Sequence, residues 1–145
     1  MAPVHPVLAE CAKLALTYSV VDLAILRDTL RTVEKQEQLV RAGLSKTMNS
    51  LHLPQASGYV HAVDIGVYEG RRLSWRQEAF FDVAEAMQAA ARELDAPVTW
   101  GGCWAPLNGD KGAVELHAEY VARKARAGRR PFFDGPHFQL PRNFR

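Results

Sequence analysis

The stretch from Gln77 to Leu94 repeats its apolar residues at helical spacing, placing Phe80, Val83, Ala84, Met87 and Ala91 on one face. A helix with a single apolar stripe is stable only when a second layer covers that stripe, so the rest of the chain has to supply one. Three further segments carry helical marks. Val7, Leu8, Cys11, Leu14 and Ala15 follow near three-and-four spacing, with Pro6 suited to a first turn. Thr32 is placed to cap a helix with Glu34 in its first turn and Val33, Leu39 and Val40 as apolar marks, ending at Gly43. Val114 to Ala127 reads as the last helix.

The covering layer is expected from short extended pieces. Val20 to Leu26 is rich in β-branched and aliphatic residues and reads as a buried strand, with a helix as the alternative. His61 to Val67 reads as a strand running into a turn at Glu69-Gly70-Arg71, Val98 to Trp100 as another, and His137 to Leu140 as a last extended piece. Ser45 to Gly58 mixes Ser, Asn, Pro and Gly without a period and is expected to be a long loop; Gly101-Gly102, Gly109 and Gly112 mark further breaks. The class this implies is α+β, a small antiparallel sheet flanked by helices. With 145 residues, 48% of them apolar, the chain suits one domain with a real core, and residues 1–145 are expected to form it with no separate module.

Several functional classes are excluded early. The longest apolar candidate, Leu14 to Leu26, is interrupted by Thr17, Ser19 and Asp22 and falls short of the ~18 residues of a membrane span. The start has no basic region followed by an apolar core, so synthesis in the cytoplasm without a signal peptide is expected. Cys11 and Cys103 are far apart and form no CxxC pair, which disfavours a disulfide framework or a zinc-finger cage. A formal charge of +2 does not by itself call for a polyanion. The run Arg123, Lys124, Arg126, Arg129 and Arg130 reads first as a solvated face. Anionic envelope surfaces and nucleic acid are the competing readings, but nucleic acid lacks any accompanying recognition motif and is not expected as a partner.

The chemistry concentrates in Ser50-Leu51-His52, His61-Ala62-Val63-Asp64 and Asp134-Gly135-Pro136-His137-Phe138. Two imidazoles and a carboxylate suit a catalytic zinc, which takes three protein ligands and keeps one position open. Asp134 is one tight Gly-Pro turn from His137 and is the natural separate proton acceptor. His117 lacks the spacing that puts two ligands on one helix face, and His5, near the start, is given no role. Trp100 and Trp104 read as core or pocket wall rather than a sugar platform.

Taken in order, these motifs resemble the zinc peptidases of the D-alanyl-D-alanine carboxypeptidase (VanY-like) superfamily, especially the phage endolysins that cut the L-alanyl-D-glutamate bond of peptidoglycan. Arg31-Thr32-Val33-Glu34-Lys35-Gln36 is similar to that family's Arg-Thr-x-Glu-x-Gln, and Trp100-Gly101-Gly102-Cys103-Trp104 resembles its Trp-Gly-Gly-Asp-Trp. The resemblance runs from about Leu8 to Leu140. It implies a Zn²⁺ held by His52, Asp64 and His137 on the sheet and adjoining loops, Asp134 as catalytic base, Arg31 as the donor to an oxyanion or substrate carboxylate, and Ser50 as a substrate contact. It also implies a monomer that acts on peptidoglycan in the periplasm once a separate holin-like partner has permeabilised the membrane. A D-alanyl-D-alanine carboxypeptidase or dipeptidase is the alternative activity; a peptidoglycan- or nucleic-acid-binding module without catalysis is the remote one. The chain departs from the family pattern in two places. Leu53 to Ser57 lengthen the gap after the first histidine, which leaves His61 as the alternative first ligand, although on a regular strand His61 and Asp64 would point to opposite faces. A basic insert also separates Trp104 from Asp134, with Cys103 where the family has aspartate.

Overall fold

A computed structural model describes residues 2–145; Met1, the first residue of the span expected to form one domain, lies outside them. Four helices, α1 (Pro6–Tyr18), α2 (Val33–Arg41), α3 (Gln77–Glu93) and α4 (Ala113–Arg126), accompany six short strands: β1 (Asp22–Ile25), β2 (Ala62–Glu69), β3 (Arg72–Ser74), β4 (Thr99–Trp100), β5 (Ala105–Pro106) and β6 (His137–Gln139). All pairings are antiparallel, and the sheet runs β1-β2-β6-β4-β5 with β3 joined to β2 as a hairpin. The α+β class expected from the sequence is the one observed.

Strand alternation divides the sheet into two faces. Val63, Ile65 and Val67 turn to the core together with Phe138 and Trp100, whose register places them across from Val63 and from each other. Helices α1 and α3 cover this face: Leu8, Cys11 and Ala15 on one, Phe80, Val83, Ala84, Met87 and Ala91 on the other are buried. Burial pushes the Cys11 thiol up to about 11, making it an inert apolar group. The alternate residues of β2 and β6 face the other way, and Asp64 is directly opposite His137 in the register. Core face and chemical face are therefore set by a single parity. Phe138→Ala, which empties a fully buried position between two residues of the chemical face, is expected to lower stability by about 3–5 kcal/mol, measured by denaturant unfolding.

Local signals account for the helix ends. The Thr32 hydroxyl accepts from the Lys35 amide 3.1 Å away, and after α2 the chain turns through Gly43 at φ +73°, where a side chain would be strained. The basic last turn of α4 sits where the helix dipole favours cations, and the Arg123 and Lys124 head groups lie over the Tyr120 ring.

Three expectations change. The first strand begins at Asp22 rather than Val20, and Val20 is exposed instead of buried, because the chain is still turning out of α1 there. The turn after β2 leads back into β3, which the short polar run Arg72–Ser74 did not announce. His5, given no role, is buried and caps α1 through Nδ1, which accepts from the Val7 amide at 3.3 Å.

Candidate metal and catalytic site

Asp64 and His137 project from neighbouring strands, and the loop between α2 and β2 brings His52 against them. His52 Nε2 is 3.4 Å from Asp64 Oδ2 and 3.3 Å from His137 Nδ1, and His137 Nδ1 is 3.3 Å from Asp64 Oδ1. Ligands held about 2.0–2.1 Å from a tetrahedral ion stand roughly 3.3 Å apart, close to the spacing of the two imidazole nitrogens from each other and of each from one oxygen of the Asp64 carboxylate. The outer nitrogens are committed. His52 Nδ1 donates to the Thr29 carbonyl at 2.9 Å, and His137 Nε2 donates to Gln139 Oε1 at 2.8 Å. Each ring thus carries its proton on the outside and turns a lone pair inward, the arrangement that orients metal-ligating histidines. These three residues can hold a metal ion.

The carboxylate and the rings also interact electrostatically. Burial alone would raise the Asp64 carboxyl, but hydrogen bonds with His137 and His52 outweigh it and hold the group well below the usual carboxylate range. Burial likewise opposes the charged form of His137, and hydrogen bonds to Asp64 and Gln139 more than offset it. The Arg31 guanidinium adds a contact to Asp64 Oδ2 at 3.5 Å and is fixed from behind by the Asp28 carbonyl at 3.0 Å and Gln36 Oε1 at 3.2 Å.

Asp134 reaches the site by a tight turn in which the His137 amide donates to the Asp134 carbonyl at 3.1 Å. Gly101 permits this approach: a Cβ there would stand 2.3 Å from the Asp134 carbonyl oxygen and 3.1 Å from the His137 Cβ. Burial pushes the Asp134 carboxyl up; His137, His52 and Arg31 pull it down and Asp64 pushes it further up, leaving it raised. Ser50 Oγ accepts from the His52 amide at 3.2 Å and so shapes the ligand-bearing loop. A groove of about 930 Å³ runs over these residues and includes Arg31, Ser50, His52, Asp64, Asp134 and His137 in its lining.

The structure therefore brings together all six residues singled out from the sequence. His61 is elsewhere: fully buried, its Nδ1 donates to the Pro141 carbonyl at 2.8 Å and its Nε2 accepts from Ser57 Oγ at 2.7 Å. Zinc content is expected to be lost in His52→Ala and retained in His61→Ala, whose defect is lower thermal stability; metal analysis and melting of the two purified variants check both. Sequence reasoning missed Thr29, whose buried hydroxyl accepts from the Asp64 amide at 3.0 Å, and Gln139. Gln139 had a signal, being two residues from His137 on a strand and hence on its face. Thr29 had none. Gln36, part of a motif but given no role, is fully buried and donates to Ser45 Oγ at 2.8 Å and the Thr47 carbonyl at 2.6 Å, tying α2 to the loop that carries Ser50 and His52.

Comparisons with known proteins agree in direction. A family model described as phage L-alanyl-D-glutamate peptidase matches residues 1–141. The chain is 27% identical over 141 residues to the L-alanyl-D-glutamate peptidase of Escherichia phage T5, covering 97% of this chain and 90% of that protein. It also superposes on the crystal structure of the Serratia marcescens L-Ala D-Glu endopeptidase ChiX with a TM-score of 0.66 and 32% identity, over 95% of this chain and 80% of that one.

Proposed function

The chain belongs to the phage L-alanyl-D-glutamate peptidase family, and from that membership we propose that it opens the stem peptides of peptidoglycan with a zinc ion held by His52, Asp64 and His137. The observation that carries the metal assignment is the inward-facing set of two imidazole nitrogens and a carboxylate, each imidazole with its second nitrogen already committed to a carbonyl oxygen. Nitrogen and oxygen donors of this kind suit zinc, which when bound polarises the scissile carbonyl and lowers the pKa of a water towards ~7.

The remaining chemistry belongs to the protein. Asp134, a carboxylate in the groove beside the ligand set, takes the proton of the attacking water and passes it to the leaving amine of the D-glutamate residue. Arg31, immobilised by Asp28 and Gln36, presents its remaining N–H groups to the developing oxyanion or to a substrate carboxylate. Ser50 contacts substrate along the groove and does not act as a nucleophile, because the attacking group is water. We further assign residues 1–145 to one catalytic domain working as a monomer. It would be made in the host cytoplasm and act on the wall in the periplasm after a holin-like partner has permeabilised the membrane. No helix among the described residues is long and apolar enough to cross a membrane.

The test is digestion of purified peptidoglycan with and without chelator, followed by mass analysis of fragments and detection of new amino termini. Chelator-sensitive appearance of D-glutamate amino termini is expected. Release of terminal D-alanine alone would make the chain a carboxypeptidase, and no cleavage by a folded, zinc-loaded sample would leave only wall binding.

A further inference from the structure

Phe132 is an apolar side chain left 59% exposed on the rim of the catalytic groove, yet its position is firmly fixed. Its amide donates to Tyr120 Oη at 2.9 Å, and its carbonyl accepts from Tyr120 Oη at 3.3 Å and from Trp104 Nε1 at 2.9 Å. Its ring stacks on that of Trp104, with centroids 6.0 Å apart and planes 13° from parallel. Trp104 in turn stands 5.5 Å from the His137 ring. It is held at φ +51°, a left-handed conformation that a bulky residue adopts only under constraint from its surroundings. Two aromatic steps therefore lead from the proposed zinc ligand to solvent, and the Lys46 ammonium sits 5.8 Å over the outermost ring.

We propose that the Trp104–Phe132 stack is a saccharide subsite that seats the amino sugar bearing the stem peptide. The inference rests on the peptidase reading and extends it to the glycan side of the bond. In peptidoglycan the L-alanine amine is acylated by a lactyl group that is itself an ether of the sugar, so the sugar ring begins about two residue lengths, roughly 7 Å, from the scissile carbonyl. With that carbonyl held near His137 and the glycan side running toward Trp104, the sugar comes within reach of the two ring steps just described. The C–H bonds on one face of a pyranose are electron-poor and meet the electron-rich face of an aromatic ring; the sugar takes the place of the flexible Lys46 head group over Phe132, and the displaced ammonium donates to the sugar's oxygens. Single exposed apolar side chains occur elsewhere on the surface; Phe132 differs in that three hydrogen bonds fix its backbone beside the catalytic residues. Trp100, by contrast, is fully buried with its indole N–H donating to the Gly135 carbonyl at 2.8 Å, and serves the core.

The test compares two substrates of the zinc-loaded protein: a disaccharide-linked stem tetrapeptide, and the same tetrapeptide carrying only an N-lactyl group. The wild type is expected to favour the sugar-bearing substrate by about tenfold in kcat/KM, mainly through KM. Phe132→Ala should erase that preference and Phe132→Trp should keep it, with zinc content and circular dichroism of both variants matching the wild type. Equal kcat/KM of the wild type on both substrates overturns the subsite. So does an equal loss on both in Phe132→Ala, which would assign the ring to the stem peptide. Failure of the wild type to cleave either substrate overturns the peptidase reading, and the subsite with it.

Discussion

His137→Ala is expected to lose bound zinc and hydrolysis together. The side chain supplies one of three inward-facing donor atoms and contacts each of the other two, at 3.3 Å from Asp64 Oδ1 and 3.3 Å from His52 Nε2. Its removal leaves two ligands where a catalytic zinc takes three. Because the metal supplies several kcal/mol of charge stabilisation in the transition state, turnover should fall by about 10³-fold or more. The fold should survive, since Phe138, its neighbour in sequence, and the apolar face of the paired strand β2 point away from the substitution. Elemental analysis of the purified variant, beside release of new amino termini from peptidoglycan, reads both effects. Full zinc occupancy in an inactive variant would remove His137 from the ligand set.

Asp134→Ala separates the base from the ligands. Its carboxyl is not among the three mutually close donor atoms, while its charge acts on His137, Asp64, His52 and Arg31. The expected result is normal zinc content with turnover lowered by about 10²–10⁴-fold, the usual contribution of a positioned acid–base group. Asp134→Asn should behave alike, because an amide keeps the shape of the carboxylate but does not take up the proton. Loss of zinc in either variant would make Asp134 a ligand. The two experiments together divide the groove into a binding part and a proton-handling part, which neither does alone.

What was legible in the sequence follows from the range over which each signal acts. The α3 stripe, the Thr32 cap and the strand parity of β2 are local, and local periodicity and capping chemistry specify them without knowledge of neighbours. The six site residues were readable because their motifs appear in one order along the chain, and the fold gathers them in one groove. The part that escaped depends on distant contacts. Thr29 holds Asp64 across 35 positions with a hydroxyl that looks in sequence like any surface threonine. His5 caps its own helix but is buried by Tyr59, His61 and Phe144, and nothing near the start announces that cover. Strands β3 and β5 are only three and two residues long, too short for alternation to emerge, and exist because β2 and β4 offer them an edge. The choice between His52 and His61 was likewise a tertiary matter: both are buried, and only their partners differ.

The pairing of β6 with β2 joins residues more than seventy positions apart, and His52 meets His137 across 85. Such long-range closures are slow, since the entropy of the intervening chain is lost before the contact repays it. Until that closure forms, α1, β1, α2 and β2 hold only His52 and Asp64 of the proposed ligand set. The proposed ligand set is complete only once β6 has paired with β2, so a metal taken by all three residues would favour the closed form and hold β6 in place.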